Sequence, residues 1–345
     1  MEIKIVSNIQ EFQEIQSEWF SLFNSGAYSV FQSFEFNYYS WEFELSKNTL
    51  NQLCIILLKS SAGIFAILPL YIDVKKRMRF INDDHADYCD FISTKDVKFL
   101  HVYTYLRLHV SFTSIRLKNM QPTSNVYKLA KQLNIENKVV KLISEYSILN
   151  LEKGRFPYNV KQYRSHQKHR INKAERKYKE KESLIFDSNV HSFPKKEILF
   201  LRDSMITLGI REYNFLTNER VCLIEHLYNS GFVILHFIRQ KENVNACNII
   251  MKRSSTDFMF WIDLFDELKM INIFSYIHFM KFVSSGSSAV IDFGRGRYFY
   301  KYSNFAPTFD KLYQIEIYNT KWGKLKSMTI NYIKDLLITM YKKIT

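Results

Sequence analysis

The chain has 345 residues, of which 47% are hydrophobic and 24% charged, with 9 glycines and 5 prolines. This is globular composition for about two domains, and it excludes collagen-like, low-complexity and long disordered architectures. Lys and Arg outnumber Asp and Glu by 48 to 34, a formal net charge of +14, which favours an anionic partner: a phosphate-bearing substrate, a membrane surface or, least of the three, nucleic acid, since no zinc-finger, helix-turn-helix or RNP motif is present.

Residues 1–160 are expected to form a first mixed α/β half. The start, Met1-Glu2-Ile3-Lys4-Ile5-Val6, opens as a strand without the regions of a secretory signal. Phe12, Ile15, Trp19 and Phe23 give helical spacing over 11–23. Segments 52–58 and 63–72 read as neighbouring strands about a polar turn. Segment 80–91 is an acidic, aromatic loop, followed by a strand near 114–117, a helix near 124–133 and a strand near 147–151.

Residues 161–190 change character. Nine Lys or Arg against three Glu between 161 and 182 leave +6, with a narrow apolar stripe of Ile171, Ala174 and Tyr178. This predicts a basic, mostly solvated connecting helix, able to serve as a phosphate-facing arm.

Residues 191–315 form a second α/β unit. Helices are predicted over 195–207 and 218–229, then three strands over 232–239, 244–252 and 257–264. A helix over 273–283 follows, then a Ser/Gly turn at 284–288, a buried strand at 289–293 and a further extended segment from Tyr298. Residues 316–345 read as an amphipathic basic helix, with Trp322, Leu325, Ile330, Ile333, Leu337 and Met340 on one face and Lys324, Asn331, Asp335 and Lys342 on the other. Seven Lys against two acids over 311–345 leave +5, so this tail either docks on the protein's own core or lies on an anionic membrane surface. No apolar run reaches the ~18 residues of a membrane span. Cys54, Cys89, Cys222 and Cys247 are isolated, so neither a disulfide framework nor a zinc site is expected and the chain reads as cytoplasmic.

The densest polar and glycine cluster is Asp292-Phe293-Gly294-Arg295-Gly296-Arg297, followed by Tyr300-Lys301. Two glycines at this spacing permit a sharp turn and close approach of a ligand. Arg295, Arg297 and Lys301 can hold phosphate or carboxylate, and Asp292 can orient an Arg or accept a proton. A second candidate site is the loop carrying Asp83, Asp84, His85, Asp87, Tyr88 and Asp90. Its spacing does not match an EF-hand, so no metal is expected. Asp87, Tyr88 and Asp90, with Arg211, are instead candidates for acceptor binding. His236 and His278 are single histidines in apolar segments and read as core. The absence of a GxSxG element leaves a covalent nucleophile unsupported.

These features resemble the CelD-like (cellulose-biosynthesis) acyltransferases, tandem GNAT-fold proteins related to Fem-type aminoacyltransferases. The family's strand ending in Asp-Phe-x-x-Gly and then Tyr-Lys is matched at Asp292, Phe293, Gly296, Tyr300 and Lys301. Phe31-Gln32-Ser33 with Trp41, Ala66-Ile67-Leu68-Pro69-Leu70, Asp87-Tyr88-Cys89-Asp90-Phe91 and the basic segment from Arg164 to Lys181 follow in the family's order. The resemblance covers residues 1–310 and implies two tandem GNAT-like halves. It also implies acyl transfer from acyl-CoA, acetyl-CoA first, to an amine or hydroxyl of a saccharide or glycolipid precursor at the cell envelope. In that reading Asp263 is the first candidate base and Asp292 the second, and Tyr300 is the acid for the leaving thiolate. Trp261 lines the cleft. Asn272 and Ser275 at the helix start, with Gly294, Arg295, Gly296, Arg297 and Lys301, hold the cofactor.

One departure stands out. Where the family often has Ser-Pro-Gly, this chain has Lys269-Met270-Ile271-Asn272-Ile273-Phe274-Ser275. Helix N-terminal amides capped by Asn272 could still face a phosphate, but bulky side chains crowd the approach. Two alternatives therefore stand beside acyl-CoA transfer: Fem-like transfer from aminoacyl-tRNA, and a non-catalytic GNAT-like module that binds an anionic envelope precursor or partner.

Overall fold

The computed structural model describes residues 1–266, 270–321, 323–325 and 329. Most of the expected basic tail, including Trp322, Ile330, Ile333, Leu337 and Met340, lies outside the described residues. The fold is mixed α/β, and the chain divides into two compact units. Unit 1 comprises 1–34, 45–143 and 312–345, and unit 2 comprises 35–44 and 144–311. Among the described residues no helix is long and apolar enough to cross a membrane.

The chain opens with β1 (Glu2–Val6), α1 (Ile9–Glu14), α2 (Gln16–Asn24) and α3 (Phe34–Phe43). It continues through β2 (Gln52–Leu53), β3 (Ile55–Ser60), β4 (Gly63–Leu68), β5 (Leu70–Ile72), β6 (Arg77–Phe80) and β7 (Ile92–Ser93). Then come α4 (Phe99–His109), β8 (Ser114–Met120) and α5 (Asn125–Gln132). In unit 1, β1, β3, β4 and β7 form an antiparallel sheet. A second group of strands includes a parallel pair, β6 with β8. The single helix expected over 11–23 is broken at Ile15, whose backbone leaves helical geometry at φ −90° and ψ 10°. The break lets Phe12 and Trp19 stack at 5.5 Å in the core, where the indole Nε1 donates to the Gln32 carbonyl at 2.9 Å.

Next come β9 (Lys138–Leu151), α6 (Ser165–Lys177), β10 (Glu182–Phe186), α7 (Lys195–Thr207), α8 (Asn218–Asn229), β11 (Val233–Gln240), β12 (Asn243–Lys252), β13 (Asp257–Phe265), α9 (Ile271–Gly286), β14 (Ala289–Arg295), α10 (Phe299–Phe305) and β15 (Thr308–Tyr318). In unit 2 the strand order is β10-β11-β12-β13-β14-β9, with β13 and β14 parallel and the other pairs antiparallel. Burial on both faces explains why β11 to β13 carry near-continuous apolar runs. Helix α9 crosses over from β13 to β14 and is buried along most of its length, packing Phe279 against Phe258 and Phe260.

Three elements of this unit differ from expectation. The basic helix ends at Lys177, and residues 182–186, Glu-Ser-Leu-Ile-Phe with a single charge, form the edge strand β10, whose backbone pairs with β11. Its face of Gln167, Ile171 and Ala174 is buried, so it is a docked helix with a basic outer side rather than a mostly solvated one. Helix α9 runs past the expected turn at 284–288 to Gly286, and Ser284 Oγ donates to the Met280 carbonyl one turn back at 2.7 Å. The segment from Tyr298 is helix α10, not extended chain. It is ended by Ala306 in left-handed geometry, and Phe305 sits fully buried against Phe293 at 5.3 Å. Residues 35–44, expected in the first half, belong to unit 2, where Phe36 packs on Trp261 at 6.2 Å.

Candidate active site in unit 2

Strands β13 and β14 are in register over three residue pairs, from Asp257↔Val290 to Met259↔Asp292. Beyond that point β13 runs to Phe265 and β14 to Arg295 without further pairing between them. A bulge opens on the other side of β13, where Ile249 faces Ile262 and Ile250 faces Phe260, making Trp261 the inserted residue. A parallel pair that parts beside a bulge is where backbone amides can turn toward a ligand.

Asp263 lies just past the bulge. Its carboxylate accepts Asn248 Nδ2 at 2.9 Å on one oxygen and the Tyr276 hydroxyl on the other. Tyr276 Oη is in turn 3.3 Å from Tyr300 Oη, and the two rings stack at 5.9 Å and 9°. Behind Asn248, its Oδ1 is 3.2 Å from His236 Nδ1, and His236 Nε2 is 2.7 Å from Ser183 Oγ. His236 faces Asn248, and Asn248 faces Asp263, as direct cross-strand pairs. The result is a polar rung across β10 to β13 that continues through α9 to α10.

Enclosure by protein raises the Asp263 carboxyl above its ordinary value; the Tyr276 and Asn248 hydrogen bonds and the charges of Lys301 and Arg211 pull the other way. Tyr276 is raised well above the ordinary phenol, first by burial and then by the Asp263 charge, so it stays a phenol. Burial lowers His236 to about 4, which keeps the imidazole neutral near pH 7. As expected, His236 is core; it is also the middle of the rung.

The turn after β14 is built on glycine. Gly294 and Gly296 have φ of 67° and 96°, both left-handed, and a Cβ on Gly296 would meet the Tyr298 ring at 2.4 Å. Asp292 is fully buried; its Oδ1 accepts the Gly294 amide at 2.7 Å and its Oδ2 accepts Arg253 at 2.5 Å. These partners hold the turn and tie it to Arg253, just past the end of β12. Lys301 is 1% exposed and points inward, donating to the Gly294 and Arg295 carbonyls at 3.1 and 3.0 Å. Arg297 faces outward over Phe309 at 4.9 Å, within 3.4 Å of Glu145.

Helix α9 begins differently from expectation. Its N-cap is Met270, in left-handed geometry at φ 61° with no side-chain cap, and Asn272 sits inside the first turn. Asn272 Oδ1 accepts the Ile273 amide at 2.9 Å, and buried Ser275 donates to the Asn272 carbonyl at 2.8 Å. Arg211 is exposed, over the Phe215 ring at 4.8 Å, and adds positive potential at Asp263.

The remaining expected residues lie in unit 1. Tyr88 is buried against Phe31, and its carbonyl accepts Gln32 Nε2 at 3.0 Å. Asp87 is half-buried. Asp90 caps α5, accepting the amides of Asn125 and Val126 at 2.8 and 2.9 Å, and burial nevertheless lifts its carboxyl to about 6. Unit 2 therefore gathers Asp263, Tyr300, Trp261, Arg211 and the glycine turn. Sequence reading missed Tyr276, Asn248 and Ser183. The available signal was weak: Tyr276 and Asn248 are polar residues within largely apolar stretches of α9 and β12, each with other polar residues in the same element.

No family profile and no curated protein matches this sequence. Among solved structures it is similar to the C-terminal domain of a protein assigned as lysylphosphatidylglycerol synthetase in Agrobacterium fabrum, with TM-score 0.61 and 10% identity over 93% of this chain and 95% of that one. It is similar to FemX, with TM-score 0.59 and 10% identity over 94% and 99%. It is also similar to a tandem GNAT protein of the clavulanic acid biosynthesis pathway, with TM-score 0.50 and 8% identity over 91% and 98%. At these identities the likeness is one of fold, and the fold is GNAT-like.

Proposed function

We infer that the chain is a GNAT-type transferase that moves an acyl group to an amine or hydroxyl of a cell-envelope precursor, with its chemistry in unit 2. The observation that carries this is the line Asp263–Tyr276–Tyr300 beside the parting of β13 and β14. The acceptor oxygen or nitrogen attacks the acyl carbonyl carbon. Its proton passes to Tyr300, that of Tyr300 to Tyr276, and that of Tyr276 to the Asp263 carboxylate. Collapse of the tetrahedral intermediate breaks the bond to the donor, and the leaving group recovers a proton from Tyr300 as Asp263 returns its own by the same path. A base suited to this task has a raised pKa, which burial gives Asp263. Amides at the bulge and along the parted strands are suited to hold the oxyanion.

The first reading of the donor is acyl-CoA, in line with the CelD-like resemblance, with Arg297 and the α9 start as phosphate contacts. The second is an aminoacyl ester, with a lipid acceptor. The bulky α9 start, with Met270 as N-cap and no glycine, favours it, as does likeness to a protein assigned as lysylphosphatidylglycerol synthetase. Thermal unfolding with acetyl-CoA, longer acyl-CoAs and aminoacyl-tRNA decides between them. A donor at 100 times its Kd adds ~2.7 kcal/mol, a clear rise in Tm. A rise with acyl-CoA supports the first reading, and one with aminoacyl-tRNA alone the second. No rise and no transfer with any of them overturns the enzyme.

A further inference from the structure

Three large aromatic side chains stand out of the short helix α10 and its N-cap: Tyr298 is 59% exposed, Phe299 61% and Tyr302 41%. Contiguous exposure of this kind marks an interaction site rather than ordinary surface. Helix α6 lies alongside. Arg170 Nη1 donates to Ser303 Oγ at 3.0 Å and Asn304 Oδ1 at 3.2 Å, with its guanidinium 5.5 Å from the Phe299 ring centre. Helical periodicity puts His166, Lys173 and Lys177 on the same flank of α6 as Arg170, and all three are exposed. The acid of this helix, Glu175, falls on the opposite flank, where it meets Tyr158 and Lys281.

We propose that this face, the aromatic side chains of α10 beside the cationic flank of α6, seats unit 2 on an anionic phospholipid bilayer. Charge complementarity chooses a partner of negative charge, and aromatic rings next to Lys and Arg are the arrangement that settles at headgroup depth. RNA fits less well, because ring faces that base stacking would use are already engaged. Lys301 stands over the Tyr298 ring at 5.1 Å, Tyr300 stacks on it at 6.2 Å, and Arg170 covers one face of Phe299. The ring edges remain open to insert among lipid headgroups. The assignment does not depend on which donor the transferase uses.

The test is flotation of the full chain with vesicles of phosphatidylcholine alone and of phosphatidylcholine with phosphatidylglycerol, at low and high salt. Binding to the anionic vesicles only, lost at high salt, is expected. Lys173→Glu with Lys177→Glu lowers the partition coefficient on the order of 100-fold, since each cation near such a surface counts for about one kcal/mol. Phe299→Ser lowers it at low salt, and Lys334→Gln, Lys342→Gln, Lys343→Gln in the tail leaves it in place. All of these positions except 299 are charged, and unchanged melting temperatures confirm the folds. Absence of flotation, equal flotation on neutral vesicles, loss in the tail variant alone, or binding of tRNA but not vesicles would each overturn the proposal.

Discussion

Each unit contains a parallel strand pair that parts after a few residues, and the two gaps are filled in opposite ways. In unit 1, β6 and β8 pair only at Arg77↔Ser114 and Met78↔Ile115. The chain then folds its own acidic loop into the space, with Asn119 Nδ2 donating to the carbonyls of Asp83 and Ala86 at 2.8 Å each. Arg79 bonds Asp83 and Asp84, and Lys118 bonds Asp84. Burial works against the Arg79 charge, but Asp83 outweighs it and keeps the guanidinium firmly charged. In unit 2 the carboxylate beside the parting strands, Asp263, is met by an amide and a phenol. Burial raises the Asp83 carboxyl as it raises that of Asp263, with Arg79 and Lys118 pulling the other way. The difference lies in the partners: a proton on Asp83 would break ion pairs and leave Arg79 unmatched, whereas Asp263 is held by neutral donors, the arrangement that proton transfer needs.

That contrast breaks first on rate. Asp263→Asn keeps the shape and removes the proton acceptor, so turnover falls ~10²–10⁴-fold with little change in Tm. Steady-state kinetics with whichever donor raises Tm check it, and a near-normal rate would place the base elsewhere. Asp83→Ala tests the other side. It leaves buried Arg79 without its closest anion and costs ~3–5 kcal/mol in denaturant unfolding, without touching the rate constant of the folded enzyme. A smaller cost than that of Asp263→Asn would undo the comparison.

The third effect is a pH dependence. His236 titrates at about 4 in the fold against 6.5 in an exposed chain. The unfolded state therefore binds the extra proton between these values, and stability present above pH 6.5 is lost as the pH falls toward 4. The loss is about 3 kcal/mol, at ~1.4 kcal/mol per pH unit. His236→Gln flattens this slope, read as unfolding midpoints from pH 7 to 4; an unchanged slope would exclude the imidazole as its source.

The framework of unit 2 was legible in the sequence because its period is strong. Three apolar strands, a helix and a fourth strand stand where their patterns place them. Asp292 and Tyr300 are conspicuous beside a glycine turn, whereas Asp263 stands out only through the CelD-like resemblance, as a carboxylate on the expected cleft strand. The link of Asp263 to Tyr300 was not legible. Tyr276 sits among several aromatic residues of a mostly buried helix, and nothing in such a pattern says which ring reaches a carboxylate. Asn248 is likewise one of three asparagines in β12, and its meaning depends on a cross-strand pairing that spacing along the chain does not contain. Helix α10 was read as extended because its aromatic residues suit strands; the Lys301 contacts to the preceding carbonyls and the buried Phe305 outweigh that local preference. The interleaving of the two units was hidden for the same reason, since Phe36 gives no local sign of its partner Trp261.

The rung of Ser183, His236, Asn248 and Asp263 has a consequence for assembly of the sheet. Side chains alternate between faces along a strand, so a slip of one residue in β11 or β12 would turn a histidine or an asparagine away from its partner and into apolar surroundings. Strands as uniformly apolar as these offer little else to distinguish one alignment from the next. The same residues that surround the proposed base thus act as an alignment key, penalising mispaired sheets before any substrate is met.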